Sequence, residues 1–343
     1  MDSLDIHAAD DLPMLHPYPE RKGTDMNGFQ PISSKQCDFK EILYEKKGWV
    51  AKVTLNRPEF YNAYNTQALK EMATAFQDAS WDDSIGVVVF TGAGDKAFCT
   101  GGDVKEYATV YTKKPRDYWK YMGLFRTYLE SILNLGKPVI ARINGMAVGG
   151  GNESQMACDL AIMSESAYLG QIGTNVGSVA CGGATQWLPL LAGDRRARYM
   201  LLLNERIPAR QALEWGLVNQ VVPYDKLDDA VAEMCQKLLD KFPECTRYTK
   251  AQVNFWKELA WHSTIGHARD WLALHFTSLE PNEGMQAFVE KRKVDYRKLR
   301  KLAADGKSSE FLWGPYASTC KKCGAKGIPE EFEFCGKCGG KLK

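Results

Sequence analysis

Apolar residues recur along this chain with two different spacings, and the switches between them mark its elements. Ile42-Leu43-Tyr44-Glu45 and Trp49-Val50-Ala51-Lys52-Val53-Thr54-Leu55 read as the two strands of a hairpin around Lys46-Lys47-Gly48. From Thr66 to Ala79 the spacing lengthens, so that Leu69, Met72, Ala73 and Phe76 share one helical face. Val87-Val88-Val89-Phe90, Pro138-Val139-Ile140-Ala141 and Leu160-Ala161-Ile162-Met163 are short unbroken apolar runs, the mark of strands covered on both faces. Helical spacing separates them, which predicts βα units around a largely parallel sheet and an α/β fold class. The segment from Tyr107 to Leu135 is long and rich in aromatic residues; helix core and the wall of a substrate pocket are the two readings, and core is expected for most of it. Arg195 to Leu203 is helical, and helix-rich sequence runs from Leu227 to Arg300. Before the hairpin, residues 1–39 carry Pro13, Pro17, Pro19 and Pro31 and no sustained period; an irregular arm that wraps a neighbour or stays mobile is expected there.

The chemistry concentrates where one strand turns into a helix. The Pro138–Ala141 run leads through Asn144-Gly145-Met146-Ala147-Val148 to Gly149-Gly150-Gly151, and a helical pattern starts at about Asn152. Glycines permit close backbone approach and unusual dihedrals. The first N–H groups of a helix lack internal partners and carry the positive end of the helix dipole, so such a turn can hold a developing oxyanion. Glu153 falls on the first helical turn, beside whatever those amides bind. The plainer alternative is a tight glycine turn with Glu153 as an ordinary helix-start carboxylate.

Composition narrows the field. With 343 residues the chain can hold one substantial domain and an accessory module. The hydrophobic share is 45% and the charged share 25%, as in a soluble globular protein. A net charge of +2 leaves no footprint for nucleic acid or an anionic membrane, and neither partner is expected. Asp2, Asp5, Asp10 and Asp11 stand where a signal peptide would carry a basic region, so a signal peptide is not expected. Six of the ten cysteines are scattered and four are clustered at the end, which suits a reducing cytoplasm.

A second stretch sharpens the reading of the glycine turn. Val87-Val88-Val89-Phe90-Thr91-Gly92 is followed by Phe98-Cys99-Thr100-Gly101-Gly102-Asp103, and with the triple glycine this resembles the crotonase (enoyl-CoA hydratase/isomerase) superfamily. The resemblance runs from about Ile42 to about Arg297. It includes Asn56-Arg57-Pro58 with Asn62-Ala63, Leu169-Gly170-Gln171, Gly182-Gly183-Ala184-Thr185-Gln186, Ala212 to Val218 and Glu283 to Phe288. It implies a ββα spiral core with a C-terminal helical oligomerisation region, and a homotrimer or a dimer of trimers. It also implies an acyl-CoA substrate, CoA being part of the substrate, with no redox cofactor. The oxyanion donors would be the N–H groups of Gly102 and Gly150, with Glu153 as the proton carrier. Cys99 and Thr100 would meet CoA with backbone groups, and Asp103 would brace their loop. The second glutamate of enoyl-CoA hydratases falls on Gly173, so straight-chain hydration is not the expectation. A glutamate base facing a glycine, followed by a cysteine-rich tail, is most like the branch that opens a cyclic oxo-enoyl-CoA by hydrolysis in anaerobic aromatic breakdown. A cyclic or linear enoyl-CoA hydratase is the alternative, and a non-catalytic or RNA-binding relative is the alternative of another class. Gly173, Gln171 and Ser178 are the candidate substrate-pocket residues, with Gln186 and Trp187 as further candidates by position; the resemblance adds Tyr107 and Tyr111, because the loop after the first oxyanion stretch varies with substrate in the superfamily. His262, His267 and His275 are expected to be structural. Trp256, Trp261 and Trp271 are expected in packing or a subunit interface.

The tail carries a separate signal. Cys320-Lys321-Lys322-Cys323-Gly324 and Cys335-Gly336-Lys337-Cys338-Gly339 are two glycine-backed knuckles, and four thiolates at this spacing suit a structural Zn²⁺ in a closed tetrahedral shell. The expected organisation is therefore an arm over 1–39, a core over 40–225, a helical region over 226–312 and a zinc ribbon over 313–343.

Overall fold

The computed structural model describes residues 38–112 and 114–343. The arm expected over 1–39 lies, except for its last two residues, outside them. The hairpin forms as β1 (Ile42–Lys47) and β2 (Val50–Leu55). It turns at Gly48 and Trp49 rather than at the lysines; both have positive φ, 58° and 69°, as a two-residue turn matched to the strand twist requires. Then follow α1 (Thr66–Trp81), β3 (Val87–Gly92), β4 (Ala97–Cys99) and a short α2 (Val104–Glu106). The aromatic segment divides into a wide turn over Tyr107–Tyr111 and α3 (Pro115–Leu133), with Pro115 at the helix start, where no N–H is needed.

The next elements are β5 (Val139–Ile143), β6 (Met146–Val148), α4 (Gly150–Ala157), β7 (Leu160–Ser164), β8 (Tyr168–Gly170), α5 (Ala184–Ala192) and α6 (Asp194–Leu203). They are followed by β9 (Ile207–Pro208), α7 (Ala209–Glu214), β10 (Gln220–Val222) and α8 (Leu227–Leu239). The helical region continues as α9 (Pro243–Val253), α10 (Phe255–His275), α11 (Leu279–Val289) and α12 (Tyr296–Ala304).

The strands form two sheets, of order β1-β2-β3-β5-β7-β10 and β4-β6-β8-β9. The pairs β3/β4, β5/β6 and β7/β8 each send their first strand to the larger sheet and their second to the smaller. This repeated ββα step is the expected spiral. Every residue of β3 and β5 is buried, which explains why those segments read as unbroken apolar runs. Between sheet and helices, Phe76 of α1 meets Phe90 edge-on at 5.4 Å, and Phe90 meets Phe98 at 5.0 Å. Trp261 of α10 is fully buried against Trp187 of α5, whereas Trp256 and Trp271 are exposed. No helix among the described residues is long and apolar enough to cross a membrane.

Glycine spacing separates two kinds of position in this fold. A Cβ on Gly151 would sit 1.9 Å from the Cys99 carbonyl oxygen, so α4 can approach β4 only without one. Gly266, inside α10, has nothing within 4 Å. Gly151→Ala is expected to cost about 2 kcal/mol or more through forced separation of packed backbone. Gly266→Ala should gain about 0.5–1 kcal/mol from helix propensity. Denaturant unfolding of the two variants checks both signs, and unchanged stability of Gly151→Ala would contradict the contact.

Candidate active site

Two backbone segments meet at the junction of the small sheet and α4. The first is the Cys99–Asp103 loop. Gly101 has φ of 89°, and the Tyr64 N–H donates to its carbonyl at 2.9 Å while the Asp103 N–H donates to the Tyr64 carbonyl at 2.9 Å. Asp103 accepts from the N–H groups of Lys105 and Glu106 and pairs with Arg57 at 3.0 Å. Asn62 donates to the carbonyls of Ala93 and Ala97 at 2.9 and 2.7 Å. The Asn-Arg-Pro and Asn-Ala motifs therefore serve as the frame of this loop.

The second segment is the triple glycine. Gly149 has φ of 56° and caps α4, whose first residue is Gly150, two before the position expected from the sequence. Gly101 and Gly150 lie so close that a Cβ on Gly101 would be 2.8 Å from the Gly150 nitrogen. Among the described residues, neither the Gly102 N–H nor the Gly150 N–H donates a backbone hydrogen bond. Both glycines line one cavity, together with Tyr64, Thr100, Tyr107, Phe125, Glu153 and the 171–181 loop.

Among the described residues that line the cavity, Glu153 is the only carboxylate. It is 3% exposed, and its Oε1 accepts from the Gly182 N–H at 2.7 Å and the Ala184 N–H at 3.2 Å. These donors sit at the start of α5, where Gly183 takes φ of 101° to turn both toward the carboxylate. Burial pushes the Glu153 carboxyl up to about 7; the two N–H groups oppose the rise without cancelling it. Its other oxygen, Oε2, accepts no hydrogen bond within the described residues. The site thus offers a buried carboxyl poised near neutrality and two unpaired N–H groups in the same cavity.

Other expected residues fall on both sides of the cavity wall. Gln171, Gly173, Ser178 and Thr100 line it. Gln186 is half-buried and bonded to Thr264, and Trp187 is buried in the core, so neither lines it. Cys99 is buried behind the wall, where desolvation pushes its thiol up to about 12. Tyr107 lines the cavity, but Tyr111 turns away to the Thr66 hydroxyl at 2.5 Å. Tyr118, Met122 and Phe125, expected as helix core, line it from α3, and Met285 does so from α11. A Cβ on Gly173 would lie 3.0 Å from the Ser178 carbonyl oxygen. The volume freed by a missing carboxylate is therefore partly filled by the 178–180 backbone. That loop is held from behind: Gly177 packs so tightly on α11 that a Cβ would meet the Glu280 carbonyl oxygen at 2.2 Å, and His275 reaches the Gly177 carbonyl at 3.3 Å.

The four tail cysteines come together. Their sulfurs all lie within 4.8 Å of one another, with Cys320 to Cys338 at 3.6 Å and Cys323 to Cys335 at 3.7 Å. A tetrahedron with Zn–S bonds of about 2.3 Å has edges near 3.8 Å, so the spacing fits the metal. The knuckles repeat each other. The Gly324 N–H returns to the Cys320 carbonyl at 2.9 Å and the Gly339 N–H to the Cys335 carbonyl at 2.8 Å, and both glycines have positive φ. The Cys323 N–H holds the Cys320 thiol well below its ordinary value, to about 6, and the Cys338 N–H lowers Cys335 likewise. Both favour the thiolate that a metal needs.

The arrangement has close counterparts. Residues 45–299 match the family model described as enoyl-CoA hydratase/isomerase. A 6-oxocyclohex-1-ene-1-carbonyl-CoA hydrolase of Geobacter metallireducens is 36% identical over 309 residues, covering 74% of this chain and 81% of the relative. One of Thauera aromatica is 34% identical, covering 83% of this chain and 92% of the relative. An enoyl-CoA hydratase structure from Mycobacterium avium subsp. paratuberculosis superposes with a TM-score of 0.68 at 27% identity, over 75% of this chain and 98% of that one. One from Bacillus anthracis gives 0.61 at 34%, over 75% and 99%. The knuckles lie beyond the family match. The chain belongs to the crotonase (enoyl-CoA hydratase/isomerase) family and is an enzyme that acts on acyl-CoA.

Proposed function

We propose that this enzyme hydrates a cyclic oxo-enoyl-CoA, 6-oxocyclohex-1-ene-1-carbonyl-CoA, and opens its ring to 3-hydroxypimelyl-CoA, a step of anaerobic benzoyl-CoA degradation. The observation that carries the reading is the single carboxylate of the cavity, set with two unpaired N–H groups and with glycine where a second carboxylate would stand. The names of the Geobacter and Thauera relatives support the choice of substrate.

The residues supply what the chemistry needs. The N–H groups of Gly102 and Gly150 hold the thioester carbonyl oxygen. Glu153, fixed through Oε1, takes a proton at Oε2 from a water that adds to the ring carbon β to the thioester. The electron pair of the double bond passes to the thioester as an enolate, and Glu153 returns the proton to the α-carbon. A second water then adds to the ring carbonyl. The bond between that carbon and the α-carbon breaks, and its pair again forms the thioester enolate in the same hole before protonation. Two waters are consumed, a carboxylic acid forms, the thioester stays intact and no redox step occurs. A donor pair aimed at the developing oxyanion contributes about 2.7–4 kcal/mol per donor. The exposed apolar residues Leu202 and Leu203 on α6 and Trp256 on α10 support assembly as a trimer or a dimer of trimers.

We assign a structural Zn²⁺ to Cys320, Cys323, Cys335 and Cys338. With four thiolates it would have no open position for water or substrate, and its contribution is to hold the tail folded. Beyond these cysteines the tail has a small core of Ile328 with Ala325, Phe332 and Leu342 around it.

Purified enzyme with the cyclic oxo-enoyl-CoA should yield a product heavier by two waters. A product heavier by one water would make it a cyclic enoyl-CoA hydratase instead. Glu153→Gln preserves the acceptor for both N–H groups but cannot take a proton, and turnover should fall about 10²–10⁴-fold. Wild-type kcat/KM should rise with pH through a limb near 7, where the carboxyl ionises. Because the folded pKa lies above the unfolded one, near 4.5, Glu153 favours the fold below pH 4.5, and that contribution is lost as pH rises to about 7. Glu153→Gln should therefore gain stability relative to wild type across this window, which thermal unfolding at several pH values reads.

Cys320→Ser should release the metal and loosen the tail, with catalysis falling only as folding or assembly falls. Metal analysis should give one zinc per chain in the wild type. A folded, fully active protein without zinc would refute the assignment.

A further inference from the structure

Two tyrosine hydroxyls stand directly against the two oxyanion glycines. A Cβ on Gly150 would lie 1.8 Å from the Tyr64 hydroxyl oxygen, and a Cβ on Gly102 would lie 1.8 Å from that of Tyr107. The two hydroxyls differ in what they are bound to. Tyr107 shares a hydrogen bond of 2.8 Å with the Tyr121 hydroxyl. Tyr64 is 2% exposed and lines the cavity, and its hydroxyl has no hydrogen-bond partner among the described residues. Its ring stacks on Phe125 at 5.5 Å. Its backbone is tied on both sides to the oxyanion loop, through Gly101 and Asp103. Packing alone would be met by phenylalanine, and a buried phenol without a partner carries a desolvation cost. A rigid, unpartnered hydroxyl facing a substrate cavity is placed to bind a substrate oxygen.

The thioester oxygen is already provided for by the two N–H groups. The oxygen left over is the one that sets an oxo-substrate apart from a plain enoyl-CoA. In a β-oxo thioester the second carbonyl is joined to the same α-carbon as the thioester carbonyl. A donor beside the thioester hole therefore lies within reach of it. We propose that the Tyr64 hydroxyl donates a hydrogen bond to the ring carbonyl oxygen of the substrate, making Tyr64 the residue that selects an oxo-bearing acyl group. The same bond would strengthen as water adds to that carbonyl and charge gathers on its oxygen. This inference rests on the ring-opening reading above.

The test compares wild type and Tyr64→Phe on 6-oxocyclohex-1-ene-1-carbonyl-CoA and on cyclohex-1-ene-1-carbonyl-CoA, which lacks the ring oxygen. The ratio of kcat/KM for the two esters should fall about 10- to 100-fold in the variant, because only one ester loses a hydrogen bond. A structural role would lower both esters alike and leave the ratio unchanged, which would overturn the proposal. If wild type itself shows no preference for the oxo-ester, the ring-opening reading fails and this inference with it. If wild type prefers the oxo-ester and Tyr64→Phe keeps the full preference, only the inference fails. Binding of the saturated 2-oxocyclohexane-1-carbonyl-CoA and its deoxo analogue provides a readout that does not depend on turnover. The variant should lose affinity for the first relative to the second, and an unchanged difference would again overturn the proposal.

Discussion

The approach of α4 to the Cys99–Asp103 loop is the constraint on which the rest of the site depends. Gly151 against the Cys99 carbonyl, and Gly101 against Gly150, bring two chain segments to a separation that no side chain allows. One N–H from each segment then lies in the same cavity without a backbone partner. Unpaired N–H groups are costly when buried, so they persist where something else can occupy them. The surrounding hydrogen bonds, Arg57 to Asp103 and Asn62 to Ala93 and Ala97, keep the loop from relaxing toward an internal partner.

Glu153 is governed by a balance between burial and two backbone donors. Burial alone would keep it neutral, and two N–H groups alone would keep it ionised. Together they leave it near neutrality, where it can both take and return a proton. Fixing one oxygen also orients the other, so the carboxyl is presented to the cavity through a single atom.

Much of this was legible in the sequence. The unbroken apolar runs of β3 and β5, the glycine triplet at the start of α4 and the paired knuckles each reflect a local constraint that only certain residues satisfy. What could not be read was set by distant packing. Nothing in Gly182-Gly183-Ala184 announces that its amides grip Glu153, about 30 residues earlier, because that depends on where α5 lands on α4. Tyr118 and Phe125 read as helix core because a pocket wall has the same 3.6-residue spacing as a buried face. Tyr64 follows the framing Asn-Ala motif and gave no signal of its own. Trp187 and Gln186 were candidates by neighbourhood, but α5 turns one into the core and the other onto Thr264 of α10.

The seat of the 173–181 loop on α11 has a further meaning. Gly177 touches Glu280, and Gly284 is so near Val176 that a Cβ would lie 2.4 Å from its carbonyl. The floor of the acyl cavity is thus cast against a helix that supplies only Met285 to its lining. Substitutions on the buried side of α11 would reshape that floor from outside, leaving every reacting group in place. The shape of the cavity floor and the groups of the glycine turn thus lie on separate parts of the chain, so that one can change while the other stays.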